Sequence, residues 1–202
     1  MLSVHLHLIR HGRTPGMEKQ VYLGATDEPL APAGYSDVAR YAAHGPREYQ
    51  RIYTSPLQRA VQSAQHYLRV QAGIAVQPEV LPWLAERHFG AFEGKSYADL
   101  CTSCPQLISA WNADPWGYAP PEGESALAFW QRVQLGYTEL SSHVGESERV
   151  LLFCHQGVIR VMLALILELQ QDAVWRFAVA PGQGVHIDIG QDGYGFLRWD
   201  EN

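Results

Sequence analysis

Lysine is nearly absent from this chain. Of its 15 lysine and arginine residues, only Lys19 and Lys95 are lysines. An arginine presents a planar, bidentate set of donors, whereas a lysine is a point charge, so any anion site is expected to be built from guanidinium groups. The formal net charge of −6 creates no overall field that attracts nucleic acid or an anionic membrane. Neither partner is therefore expected.

Cysteine is also scarce. The three cysteines, Cys101, Cys104 and Cys154, are an odd number, which argues against a disulfide framework. Cys101 and Cys104 form one C-x-x-C motif, but a zinc site needs about four ligands and no second pair follows. The strand that precedes a thioredoxin-like dithiol is missing as well. We therefore expect neither a metal site nor a redox function here.

Long apolar segments are lacking. The longest uncharged apolar run, residues 161–167, is too short to cross a bilayer. Residues 1–9 have no basic flank of the kind that precedes a secretory signal. The expected location is cytoplasmic.

The order of patterns along the chain predicts an α/β protein. A chain of 202 residues suits one domain, residues 1–202, with a cap-like insertion of short helices around 95–123. Strands are predicted at 3–9, 51–54, 75–81 and 149–154, helices at 32–43, 55–70, from 125 onward and at 157–169, and a hairpin after 184 with its turn at Asp192 and Gly193. This alternation predicts a three-layer αβα sandwich whose central sheet is mostly parallel, with helices on both faces.

Polar residues follow three of these strands. Arg10 and His11 end the first strand, Ser55 follows the second, and His155 follows the strand that ends at Cys154. The active crevice of such a sheet lies at the carboxyl ends of its strands. Each histidine also precedes a helix whose N-terminal amides can bind an anion. The pattern indicates an anion-binding crevice.

The sequence resembles the histidine phosphatase superfamily, the phosphoglycerate mutase-like proteins. The matching stretches are RHGRT at 10–14, Gly24-x-x-Asp27-x-Pro29-Leu30, TSPLQRA at 54–60, ERHFGAFEG at 86–94, PPEGES at 120–125 and CHQGVIR at 154–160. They occur in the family's order and span nearly the whole chain. The resemblance implies the family's fold and a metal-independent phosphoryl transfer without a cofactor.

The resemblance also implies residue roles. His11 is the expected nucleophile, Glu86 the acid–base group, and Arg10, Arg59 and His155 bind the phosphoryl oxygens. Cationic groups keep the His11 ring unprotonated for attack.

Further phosphate or substrate contacts are expected from Gly24, Ser55 and Gln156. Ser55 has the alternative of capping the next helix, with Pro56 at its first position. Glu86 has the alternative of a surface pair with Arg87.

Other polar residues of these segments are given structural roles or left open. We expect Glu93 to be structural, and His5, His7 and His186 to be satisfied strand histidines. His88 is ambiguous because it adjoins Glu86 and Arg87.

Two positions depart from the family pattern. Met17 stands where members have an asparagine that contacts phosphate, and methionine cannot donate a hydrogen bond. That contact is either lost or supplied by Gln20 or a backbone amide. Gln156 replaces a common glycine, so its side chain is expected to narrow the pocket while its backbone N–H still binds phosphate.

The expected reaction is hydrolysis of a small phosphorylated metabolite. A cofactor-dependent phosphoglycerate mutase must exclude water from its phosphohistidine. Segment 95–123 is short and Lys95 is its one cation, so this segment provides little to exclude water. The chain looks most like the α-ribazole-5′-phosphate phosphatases, with Trp111, Trp116 and Tyr118 either stacking on a flat base or packing the cap. A broad small-metabolite phosphatase, a mutase and an inactive phosphate-binding module remain alternatives. The oligomeric state, a dimer included, is left open.

Overall fold

The computed structural model describes residues 4–45, 48–145, 148–190 and 195–199. The strands are β1 (Val4–Arg10), β2 (Arg51–Thr54), β3 (Glu79–Val80), β4 (Arg149–Cys154), β5 (Gly184–Ile189) and β6 (Gly195–Trp199). The helices are α1 (Pro15–Glu18), α2 (Pro32–Ala42), α3 (Gln58–Val70), α4 (Tyr97–Ser103), α5 (Pro105–Ala113), α6 (Ala126–His143) and α7 (Gln156–Ile166). Three short 3₁₀ turns cover Pro82–Leu84, Gly90–Phe92 and Gln171–Arg176.

The strands form one mixed sheet in the order β3-β2-β4-β1-β5-β6. The first four strands of that order are parallel to one another, whereas β5 runs antiparallel to β1 and β6 antiparallel to β5. The predicted α/β class and the mostly parallel sheet are thus confirmed.

The two faces of the sheet are covered by different helices, because successive strand side chains point to opposite sides. Leu6 and Leu8 of β1 belong to a core that includes Trp130 of α6 and Ile159 of α7. Ile9 belongs to a second core, with side chains from α2 and α3. Layers of helix, sheet and helix result.

The register of β1 and β4 determines where the site lies. Arg10 pairs with Cys154, so His11 and His155 leave neighbouring parallel strands at the same level. The His11 amide still donates to the Cys154 carbonyl at 3.1 Å, and the Ser55 amide donates to the Phe153 carbonyl at 2.9 Å. Three strand ends therefore deliver their next residues to one edge of the sheet.

Several predicted boundaries were wrong. Helix α3 begins at Gln58 with Leu57 as its N-cap. It cannot begin at Ser55, because Ser55 is still hydrogen-bonded to β4 and the chain must turn before the helix starts. The strand expected over 75–81 is reduced to the two residues of β3. The first strand was expected to begin at Ser3, and the hairpin turn was expected at Asp192 and Gly193; these positions lie outside the described residues.

Segment 95–123 carries α4 and α5 around a small apolar cluster. Helix α4 begins with a capping box in which Ser96 and Asp99 exchange hydrogen bonds. Trp111 and Tyr118 pack against a buried set that contains Phe92 and Leu100. These two aromatic residues therefore pack the segment, as one of the alternatives predicted.

No helix among the described residues is both long and apolar enough to span a membrane.

Candidate active site

His11 is buried, with 5% of its surface exposed, and its tautomer follows from one hydrogen bond. Its Nδ1 atom lies 2.7 Å from the Gly12 carbonyl oxygen. A carbonyl only accepts, so Nδ1 carries the proton and Nε2 keeps its lone pair. The Gly12 amide in turn donates to the Ser63 hydroxyl at 3.1 Å, and Ser63 donates to the Arg59 carbonyl at 2.7 Å. Helix α3 thereby fixes the loop that carries the imidazole.

Burial lowers the pKa of His11 well below its ordinary value, and the positive charges of Arg59 and Arg10 lower it further. The ring is therefore neutral at physiological pH. A neutral imidazole with a free Nε2 is the form that can attack phosphorus.

His155 lies against His11, with ring centroids 5.0 Å apart. Its Nε2 atom is 2.7 Å from the Ser55 hydroxyl, so Ser55 orients this ring rather than capping α3 in the predicted way. Its Nδ1 atom is buried and has no hydrogen-bond partner among the described residues. Burial and the charge of Arg59 lower the pKa of His155 well below its usual value, so this ring is neutral too when no anion is present.

Arg59 is 1% exposed and is held by two backbone carbonyls. Its Nη1 donates to the Thr26 carbonyl and its Nη2 to the Gly24 carbonyl, both at 2.7 Å. Gly24 thus positions Arg59. A Cβ at Gly24 would collide with the Arg87 carbonyl, which explains why this position is glycine. The Arg59 Nε is buried without a partner among the described residues.

Arg10 is held by the residue that departs from the family pattern. Its Nη1 donates to Gln156 Oε1 at 3.0 Å and to the Val179 carbonyl at 2.8 Å. The same Gln156 oxygen accepts from the Val179 amide at 3.1 Å. The Gln156 side chain thus connects Arg10 to the segment that precedes β5. Burial lowers the pKa of Arg10 to about 10, which leaves it cationic at neutral pH, and its Nε has no partner within the described part of the chain.

Glu86 is fixed by two backbone amides. The Arg87 amide donates to its Oε1 at 2.9 Å, and the Gly157 amide donates to its Oε2 at 3.0 Å. A Cβ at Gly157 would collide with the carboxylate, so glycine lets the first turn of α7 approach Glu86. The expected alternative, an ion pair of Glu86 with Arg87, does not occur among the described residues. The Arg87 guanidinium instead donates through Nε to the Glu124 carbonyl at 2.9 Å.

Glu93, the other carboxylate of this segment, serves the backbone. It accepts from the amides of Ala25, Thr26 and Phe89. Burial alone raises the pKa of Glu93, but these hydrogen bonds and that of the Thr26 hydroxyl outweigh it and lower the pKa. His88 lies 3.6 Å from this carboxylate. These contacts agree with the structural role expected for Glu93.

The strand histidines have partners, as expected. His5 pairs with Asp188 at 2.8 Å. His7 lies between the hydroxyls of Tyr49 and Tyr41, at 2.5 and 2.6 Å, and its ring stacks on His186 with centroids 3.7 Å apart.

A cavity of about 220 Å³ lies beside Glu86. Its wall is mostly apolar and is formed by Glu86, Arg87, Phe89, Trp116, Ala126, Phe129, Gln156, Gly157, Arg160, Val161, Val174 and Trp175. Of the three aromatic residues expected to stack on a base, only Trp116 lines this cavity. The cavity has the mostly apolar lining of a small-molecule site, and it lies next to a carboxylate.

Sequence reasoning missed several residues of the site. Arg160 follows Gln156 by four positions in α7, so the helical i,i+4 spacing could have placed both on one face. Ser63 and Trp175 gave no signal, because each reaches the site through the packing of a separate segment.

Met17 lies in α1, and Gln20 follows it with a left-handed φ of 56°. The expectation that Gln20 or an amide replaces the missing contact stays a prediction. Among the described residues, no group of three or more His, Cys, Asp or Glu side chains could hold a metal ion.

Comparison with known proteins agrees with this geometry. The profile of the histidine phosphatase superfamily (branch 1) matches residues 6–202. The chain belongs to this superfamily. It is therefore a histidine phosphatase, and its family membership implies phosphorylated small-molecule substrates.

Named relatives of this histidine phosphatase match most of its length. It is 32% identical over 192 residues to the adenosylcobalamin/alpha-ribazole phosphatase of Escherichia coli, and the aligned region covers 93% of this chain and 91% of that one. It is 30% identical over 189 residues to the protein of the same name from Salmonella typhimurium, covering 92% and 91%. The crystal structure of the alpha-ribazole phosphatase from Shigella flexneri superposes with a TM-score of 0.84 at 29% identity, covering 98% of this chain and 96% of that one.

Proposed function

We propose that this histidine phosphatase hydrolyses phosphomonoesters through a covalent phosphohistidine on His11. One observation carries the proposal: three nitrogens of the residues around His11 are buried without an acceptor, namely Arg10 Nε, Arg59 Nε and His155 Nδ1. Buried polar groups are nearly always hydrogen-bonded, so such a set calls for a ligand rich in acceptors. A phosphoryl group offers several anionic oxygens and suits paired guanidinium groups.

Binding of the phosphoryl group also changes the charge of the site. The two negative charges of the phosphoryl group would offset the charges of Arg10 and Arg59, which lower the pKa values of His11 and His155. The pKa of His155 would then rise, so that Nδ1 can carry a proton and donate to a phosphoryl oxygen. His155 thus becomes a charged donor only when substrate is bound.

Catalysis proceeds in two displacements. His11 Nε2 attacks phosphorus, the N–P bond forms, and the P–O bond to the leaving group breaks. Glu86, in its protonated form, gives its proton to the departing oxygen. Ionised Glu86 then takes a proton from water as that water attacks phosphorus, which releases inorganic phosphate and regenerates the neutral imidazole. Positioning and charge compensation by the arginines do most of the work, so the proposal requires neither a metal nor a cofactor.

The best specific substrate is α-ribazole-5′-phosphate, in which a flat base is attached to a ribose. The cavity beside Glu86 supports this choice, because Phe89, Trp116, Phe129 and Trp175 surround it and aromatic rings pack well on a planar base. Three relatives in the comparison above carry alpha-ribazole phosphatase in their names. Another small aromatic or apolar phosphomonoester would fit the same wall.

Hydrolysis is favoured over transfer to a second hydroxyl. Lys95, the one cation of segment 95–123, is partly buried and donates to the Ala91 carbonyl at 3.0 Å. We propose that this segment acts as a cap on a single domain and contributes Trp116 to the cavity. Such a cap supplies little charge to hold the second anionic group of a bisphosphorylated sugar acid.

A panel of phosphomonoesters tests the proposed function. Purified protein and its His11→Asn variant would be assayed between pH 5 and 8 for phosphate release from phenyl phosphate, α-ribazole-5′-phosphate and 3-phosphoglycerate. With 3-phosphoglycerate, phosphoryl transfer between glycerates would be measured as well. We expect turnover by the wild type alone, with the highest kcat/KM on α-ribazole-5′-phosphate. Absence of turnover would make the protein a phosphate-binding module, and faster phosphoryl transfer between glycerates than to water would make it a mutase.

A further inference from the structure

Arg160 is fixed at the wall of the cavity by two contacts. Its Nε donates to the Phe177 carbonyl at 2.7 Å, and its guanidinium carbon lies 5.7 Å from the ring centroid of Trp175. Both partners belong to the segment that follows α7, so the side chain is held from one side. A guanidinium held by its Nε and by a ring face has a fixed plane.

The two terminal amino groups of Arg160 remain available for a ligand. Neither makes a hydrogen bond to a described residue, and neither is fully enclosed by protein. Arg160 also forms no ion pair with a carboxylate of the described chain. The carboxylate of Glu86, which acts on Arg160 through its charge, already accepts two backbone amides. The donors of Arg160 therefore face the cavity without an acceptor from the protein.

Arg87, the other arginine of the wall, is less able to meet a ligand. It is 6% exposed, its Nε is occupied by the Glu124 carbonyl, and its guanidinium carbon lies 5.2 Å from the Phe89 ring centroid. Its Nη2 has no partner among the described residues, but that atom is enclosed by protein. Most of the remaining wall is apolar. The cavity thus combines rings and aliphatic side chains with one accessible, oriented set of donors near the acid–base carboxylate.

We propose that Arg160 is a specificity-determining residue that donates hydrogen bonds to oxygen atoms of the leaving group. This inference rests on the proposed function. Since Arg160 lies beside Glu86, the oxygens it meets must be close to the ester bond, while the apolar wall takes a more distant flat part. A ribose with an attached base has this order of groups. The geometry therefore favours phosphate esters of a ribose that carries a base over simple aryl phosphates.

The test compares two esters that differ in these oxygens. Phenyl phosphate has a ring but no oxygen beyond its phosphate, whereas α-ribazole-5′-phosphate has ribose oxygens between the phosphate and the base. For Arg160→Met we expect the ratio of kcat/KM on α-ribazole-5′-phosphate to that on phenyl phosphate to fall about 10- to 100-fold, the loss typical of one or two charged hydrogen bonds. The fall should come mainly from KM on the ribosyl ester. Arg160→Lys keeps the charge without the oriented set of donors, so its ratio of kcat/KM values should lie between those of Arg160→Met and the wild type.

An unchanged ratio would overturn the inference. An equal loss on both esters, with a shifted pH profile of kcat, would mean that Arg160 acts on Glu86 instead. If thermal unfolding shows that Arg160→Met does not fold, Arg160→Gln takes its place, since its amide can still reach toward the Phe177 carbonyl. Failure of the proposed function can be distinguished from failure of this inference, because in that case the wild type would hydrolyse neither ester.

Discussion

The imidazole rings of His11 and His155 lie with their centroids 5.0 Å apart and their planes tilted by 58°, although they come from the first and the fourth strand of the chain. The pairing of Arg10 with Cys154 places both rings at the same sheet edge. Burial and two arginines lower both pKa values. Backbone register thus builds a pair of neutral imidazoles in a cationic pocket.

Removal of one arginine should raise the pKa of the nucleophile. The charge of Arg10 is one of the causes that lower the pKa of His11, so Arg10→Met should move it upward while burial keeps it below its ordinary value. Titration of the His11 ring protons by NMR, without substrate, measures this shift. Arg13→Met is the matched control, since Arg13 is exposed and pairs with Asp37 at 2.7 Å. An identical His11 titration in Arg10→Met and wild type would contradict the electrostatic account.

Glu86→Gln should slow turnover according to the leaving group. Without a proton donor, esters of poorly acidic alcohols should lose about 10²- to 10⁴-fold in kcat/KM, which reports the step in which the leaving group departs. The loss should be smaller with p-nitrophenyl phosphate, whose phenolate leaves without protonation. Glu79→Gln, at an exposed carboxylate of the edge strand β3, is the control. If the two esters lost equally, Glu86 would not be the group that protonates the leaving oxygen.

Glu93→Gln should weaken the fold. The carboxylate accepts three backbone amides, and an amide side chain can satisfy fewer of them. We expect the free energy of unfolding to fall by about 1–3 kcal/mol, measured by urea denaturation at pH 7. Stability equal to that of the wild type would show that the amides find other acceptors.

The sequence predicted the sheet and the strand-end residues because both depend on local patterns. A buried strand that ends in Arg10 and His11 is visible from its own residues, and parallel strands bring their ends to one edge. The predicted start of α3 was wrong because Ser55 is still hydrogen-bonded to β4. This long-range contact outweighs the local preference of Ser55 for capping a helix. Trp175 joins the site through the packing of the turn at Gln171–Arg176, which no local pattern reveals.

Acid should destabilise the protein partly through His7. Burial lowers its pKa well below the ordinary value, so the folded protein keeps it neutral. As the pH falls below about 6.5, His7 of the unfolded chain binds a proton that the folded chain does not, and stability is lost.

The contribution of this one group can be measured by substitution. In His7→Gln, urea denaturation between pH 5 and 7.5 should show a pH dependence that is shallower by up to about 1.4 kcal/mol per pH unit. His44→Gln, at an exposed histidine, is the control. A slope as steep as that of the wild type would place the acid sensitivity in other groups.

The phosphoenzyme itself tests the central claim most directly. Protein mixed with substrate would be quenched rapidly in alkali and examined by ³¹P NMR and by peptide mass spectrometry. We predict a phosphoryl group on a ring nitrogen of His11, stable in base and labile in acid. It should be absent from His11→Asn, which should lose turnover by about a thousandfold or more. Hydrolysis without a trapped phosphohistidine, or a phosphoryl group on another residue, would contradict the account.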